Sequence, residues 1–248
     1  MRMDERLDQS ELDALWNFDD PIASADRFAQ AAAEPDRSEV VRAELETQRA
    51  RAFGLQQRFD EAEALLDSLE PAIGQLAIRI PLERGRLRNS AGRSAEAIPL
   101  FEEALANARR DGEVFLAVDA AHMLAIADPD RSGGWTHEGL AELENTRDRR
   151  TWRWAISLHY NRGWRLFDDG TPVSALEEFA KALTVAREDG TDDELFWAEW
   201  TLARCLREVG RTEEALAIQA ELARKRPEDP HVLEEVAALT VETHTIEP

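Results

Sequence analysis

Apolar residues recur along this chain at intervals of three and four, the spacing that places them on one face of a helix. Ala62, Leu66 and Leu69 form one such set, Ala97, Phe101 and Ala104 a second, and Ala175, Phe179 and Ala182 a third. A nearly repeated turn phrase leads into each: Gln57-Arg58-Phe59-Asp60-Glu61-Ala62, Gly92-Arg93-Ser94-Ala95-Glu96-Ala97 and Gly170-Thr171-Pro172-Val173-Ser174-Ala175, with a fourth copy at Gly210-Arg211-Thr212-Glu213-Glu214-Ala215. Recurrence at a spacing of tens of residues predicts stacked helical hairpins, which bury their apolar faces only against their neighbours. The residue that opens each second helix is small, as close helix packing demands.

Aligning Ala62, Ala97, Gly139, Ala175 and Ala215 divides the chain into an N-terminal capping hairpin (1–36), about five repeats (37–228) and a C-terminal capping helix with a tail (229–248). In the first of these Leu12, Leu15 and Trp16 make an apolar stripe, Asp19-Asp20-Pro21 a turn and N-cap, and Ala25, Phe28 and Ala31 the next helix. The third repeat is irregular: Asp128 to Gly134 breaks the pattern before Trp135 and Leu140 resume it, which predicts a lengthened turn inside that hairpin. Pro81 either starts a helix or kinks one that begins near Gly74. Val232, Val236 and Leu239 predict the final helix, with Thr243 to Pro248 as its tail.

These features resemble the tetratricopeptide repeat. Ile156 to Leu183 carries the resemblance best, with Asn161-Arg162-Gly163-Trp164, then Gly170, Ala175, Phe179 and Ala182; Arg79 to Leu105 follows, with Gly85, Gly92, Ala97, Phe101 and Ala104. The resemblance covers most of residues 40 to 228 and implies an all-α, right-handed solenoid of antiparallel helix hairpins. Arg49, Arg84 and Arg162 depart from it, standing where the family usually has a leucine in the first helix.

In that family the first helices line a concave groove whose non-core positions touch the partner. Carried over, this selects Thr47, Arg51, Leu82, Arg86, Asn89, Tyr160, Trp164, Phe167, Trp197, Trp200, Arg204 and Arg207 as partner-binding candidates. Flat rings and guanidinium groups suit binding hot spots. The competing reading of Tyr160 with Trp164, and of Trp197 with Trp200, is an ordinary core stripe. For the arginines it is the exposed helical ion pair. Together Arg51, Arg86, Arg204 and Arg207 would form a positive trough for a carboxylate or an acidic peptide. Asn161 matches the asparagine with which some members clamp a C-terminal carboxylate, but the accompanying lysines are missing, since Lys181 and Lys225 are the only two in the chain.

The formal charge of -21 disfavours binding to nucleic acid or anionic lipid. Cys205 is the only cysteine, so no internal disulfide forms. No apolar run approaches the roughly 18 residues of a membrane span, and no secretory leader is visible, which points to a cytoplasmic protein. His122, His137, His159, His231 and His244 are scattered without metal-ligand spacing, and Gly133-Gly134 lacks the lysine of a phosphate loop. No metal, cofactor or catalytic group is expected. The favoured function is a non-catalytic scaffold that holds a protein or peptide; the alternatives are a ligand-responsive regulator and self-association through Trp152, Trp154 or an exposed end, since one of two tryptophans two apart must leave the helical core face.

Overall fold

The computed structural model describes residue 7 and residues 9–69 and 72–246, with side chains described to residue 240. The fold is all-α and forms two compact units, Met1–Glu138 and Gly139–Pro248.

In the first unit α1 (Gln9–Leu15) and α2 (Pro21–Ala32) precede the hairpins α3 (Glu39–Leu55) with α4 (Phe59–Asp67) and α5 (Leu76–Ser90) with α6 (Ser94–Asp111). Then come α7 (Val114–Ala127), a 3-10 turn (Pro129–Arg131) and α8 (Ser132–Leu143), which crosses the unit boundary. The second unit holds the short α9 (Arg149–Trp152), the hairpin α10 (Trp154–Asp168) with α11 (Pro172–Asp189), the hairpin α12 (Asp192–Glu208) with α13 (Thr212–Lys225), and α14 (Pro230–Ile246). Within each unit first helix packs on first helix, α3 on α5 and α5 on α7, α10 on α12 and α12 on α14. The second helices α4, α6, α11 and α13 also pack on the first helix that follows each, α5, α7, α12 and α14.

The turn phrase closes each hairpin with one backbone geometry. The amides of Arg58, Arg93, Thr171 and Arg211 donate to the carbonyls of Phe53, Arg88, Leu166 and Leu206, at 2.8–3.0 Å. This requires a left-handed residue just before, and Gly92, Gly170 and Gly210 supply it at φ 74°, 76° and 76°. Gln57 holds the same place at φ 61° although it is not glycine. Past the turn, Ala62, Ala97, Ala175 and Ala215 are each 0% exposed, and Phe101 and Phe179 lie against glycines of their partner helices.

Three expectations are corrected. Gly133 and Gly134 are helical residues of α8, so the break in the third repeat is only Asp128 and the 3-10 turn Pro129–Arg131, one residue longer than the three-residue turns of the other hairpins. Trp135, not Gly139, stands fourth from the start of its helix as Ala97 and Ala175 do, and it is buried. The extra chain falls after α8, in the loop and α9. Of the two readings of Pro81 the structure has the second, a helix beginning near Gly74: α5 starts at Leu76 with Pro81 inside it, and the Ala77 carbonyl that a residue-81 amide would have bonded accepts instead from Asn107 Nδ2 of α6, at 2.8 Å. The last helix continues through Ile246, past the expected tail start at Thr243; residues 247 and 248 lie outside the described residues.

Candidate functional site

The first helices of unit one carry buried charge in register with the repeat. Glu44, Gln48 and Arg51 of α3 stand opposite Arg79, Glu83 and Arg86 of α5, each pair 35 positions apart as Gln48 and Glu83 are. Arg79 Nε approaches Glu44 Oε2 at 4.0 Å, and Gln48 Nε2 donates to Glu83 Oε1 at 3.3 Å. Arg86 pairs with Glu83 at 2.7 Å and with Asp119 of α7. The N-terminal hairpin joins this row, Trp16 Nε1 donating to Gln48 Oε1 at 3.2 Å. Glu44, Gln48, Arg79, Glu83, Arg86 and Asp119 are all buried. Such a set persists in low dielectric only because each charge faces an opposite one. Beside it, burial holds His122 down at about 4, against the pull of Asp119, so the imidazole is neutral at pH 7.

Arg51 differs from its neighbours. Its guanidinium carbon sits 5.3 Å from the ring centroids of both Trp16 and Phe18, which stack on each other at 4.7 Å. Burial and the neighbouring Arg86 lower its pKa, with Glu83 and Asp119 pulling the other way. Asn89 is occupied locally, Oδ1 accepting from Ser94 Oγ at 2.8 Å across the hairpin turn.

In unit two the aromatic candidates form two ring clusters. Tyr160 and Trp164 of α10 lie edge-on to Phe179 of α11, at 6.3 and 5.4 Å, and Phe167 meets Trp164 at 5.3 Å. Trp197 and Trp200 of α12 meet each other at 5.8 Å and both meet the His231 ring of α14. All five are half-buried, packed on one side and open on the other. Asn161, half-buried between them in sequence, is partnered within the chain.

The arginines of α12 are spent inside the chain. Glu235 of α14, 2% exposed, accepts from Arg204 Nη1 at 2.6 Å and from Arg207 Nε at 2.9 Å. With Arg86 also paired, three of the four arginines expected to sum into a positive trough instead neutralise their own carboxylates. Arg49, Arg84 and Arg162, at the family's leucine position, likewise pair with Glu46, with Asp67 and Glu63, and with Glu178. Trp152 is 38% exposed, the surface tryptophan anticipated near that point.

Sequence reasoning missed Glu44, Gln48, Arg79, Glu83, Asp119 and Glu235. The signal was present in the repeat register itself: opposite or hydrogen-bonding residues recur one repeat apart on first helices whose remaining residues are mostly apolar. Among the described residues no three His, Cys, Asp or Glu side chains group to hold a metal ion, and no helix is long and apolar enough to cross a membrane.

The family described as Tetratrico peptide repeat matches residues 79–188 and 197–247, well over half of the sequence. The chain belongs to that family. The solved structures agree on the fold: the apo form of RapI superimposes with a TM-score of 0.73 at 11% identity, covering 95% of this chain and 69% of that one. BtubC (BKLC) from P. vanneervenii superimposes with a TM-score of 0.65 at 18% identity, covering 94% of each chain. No curated protein sequence matches the chain.

Proposed function

We propose that this tetratricopeptide-repeat protein is a non-catalytic, cytoplasmic scaffold that holds a protein or peptide on its first-helix faces. The observation that carries the reading is the row of half-buried rings on α10 and α12, Tyr160, Trp164, Phe167, Trp197 and Trp200, each anchored on one side and open on the other. A ring held by packing loses little freedom when a partner covers its open face, so its contact area becomes affinity at small ordering cost. The second helices present no comparable row: α11 exposes Val173 among charged residues.

A photo-crosslinking residue placed at Trp164 is expected to capture a discrete partner from native lysate, and the same residue at Val173 is not. Capture from Val173 alone, with both variants folded by circular dichroism, overturns the assignment of the face. Charge reversal at Arg204 or Arg207 is a poor test, because it would set a carboxylate against the buried Glu235 and unseat α14.

A further inference from the structure

On the first-helix face of unit one the carboxylates pair with arginines other than Arg51, although Glu83 Oε2 keeps no hydrogen-bond partner. Arg79 has Glu44, and Arg86 has both Glu83 and Asp119. Arg51 has no hydrogen bond and no ion pair among the described residues, only the two rings beneath it. Five N–H donors in a half-buried guanidinium thus have no acceptor among the described residues, and the Nε of Arg86, a residue 8% exposed, is also unpartnered. Donors that no carboxylate of the chain has taken, on a half-buried cation, are the ones an arriving anion can meet.

The surroundings say what kind of anion. Phe18 is 59% exposed, and the hydrogen bond from Gln56 Nε2 to the Pro21 carbonyl, at 3.1 Å, joins the end of α3 to the start of α2 with Ile22 and Leu55 exposed at 63% and 47%. An inorganic ion would satisfy Arg51 and leave these apolar surfaces wet. A peptide with an acidic side chain next to an aromatic one covers both.

We propose that Arg51, framed by Trp16 and Phe18, is the docking point for a side-chain carboxylate of an acidic, aromatic peptide segment, whose apolar neighbour lies over Phe18, Ile22 and Leu55. The inference rests on the peptide-binding reading above but places a contact in the N-terminal hairpin and α3, outside the segments that match the family. Its chemistry suits a guanidinium: two parallel donors meet two carboxylate oxygens while the stacked rings flank the fork on one side.

The test titrates the full chain, 15N-labelled at tryptophan, with an acetylated and amidated peptide of alternating aspartate and phenylalanine, and follows the Trp16 indole N–H. A saturable shift is expected at concentrations up to about 10 mM, the range a few contacts reach. Arg51→Gln should weaken it about tenfold or more, Arg51→Lys less, and the matched asparagine peptide should not produce it. No saturable shift at Trp16, an equal shift from the asparagine peptide, or an unchanged affinity in a folded Arg51→Gln variant overturns the proposal. Shifts confined to the Trp164, Trp197 and Trp200 indoles would overturn this site while leaving the general scaffold reading intact.

Discussion

Replacing Gly163 with alanine sets two known effects against each other. Alanine is the better helix former by about 1 kcal/mol, and Gly163 lies inside α10, so propensity alone predicts a more stable protein. The structure predicts the reverse. A Cβ at Gly163 would stand 2.4 Å from Phe179 Cε1, 2.6 Å from Cδ1 and 2.9 Å from Cζ, whereas carbon atoms pack at about 3.5–4.0 Å. Relief requires the ring to retreat by about 1 Å, yet Phe179 is 1% exposed and bounded by Tyr160 and Trp164. Overpacking of this kind costs about 1–3 kcal/mol, so after the propensity gain the net loss is about 0–2 kcal/mol. Urea unfolding followed by circular dichroism measures it. In a Phe179→Leu background the added methyl has room, and Gly163→Ala should turn neutral or stabilising, a coupling of about 1–3 kcal/mol. Gly85 with Phe101 repeats the geometry, with the same three distances, and should repeat the sign. A Gly163→Ala protein more stable than wild type refutes the reasoning.

Gln57→Gly should raise stability by about 0.5–1 kcal/mol, because the left-handed backbone at φ 61° costs glutamine more than glycine; a lower urea midpoint would count against it. Asn107→Ala should cost about 1–3 kcal/mol by leaving the Ala77 carbonyl without its donor, and the loss should shrink in a Pro81→Ala background, where a backbone amide returns. Equal losses in both backgrounds would separate Asn107 from the proline. Burial opposes the charged form of Glu178, but hydrogen bonds from His159 and Lys181 and the charge of Arg162 outweigh it and hold the carboxyl at about 2, below its ordinary 4.5. That contribution is fully present above pH 4.5 and is lost as the pH falls towards 2, so Glu178→Gln should flatten the melting temperature against pH over that interval; parallel curves would refute it.

The hairpins were legible because a turn glycine, a small residue three positions into the next helix and a ring four beyond it each answer a local steric demand. Those demands repeat, and periodicity makes them visible at Gly92, Ala97 and Phe101 and again at Gly170, Ala175 and Phe179. The third hairpin misled for the same reason: Trp135 fills a place where a small residue was sought, so the register slid to Gly139. The half-buried standing of Trp164 and Trp200 could not be read, since packing and contact stripes share one spacing. Nor could the pairing of Arg86 with Asp119 or of Arg207 with Glu235, because each partner lies about one repeat away while a plausible helical partner lies three or four residues away.

The buried row on α3 and α5 also makes these repeats non-interchangeable. Glu44, Gln48 and Arg51 complement Arg79, Glu83 and Arg86 at two rungs out of three, but α5 set against a copy of itself would bury arginine on arginine at two rungs and glutamate on glutamate at the third. Apolar faces alone accept any neighbour of the right shape, which is how repeat chains exchange or skip units while folding. Here a wrong neighbour meets uncompensated charge in low dielectric. The order of the hairpins is thus written into the interior, and a protein rebuilt from identical copies of its second repeat would lose that proofreading along with its fit.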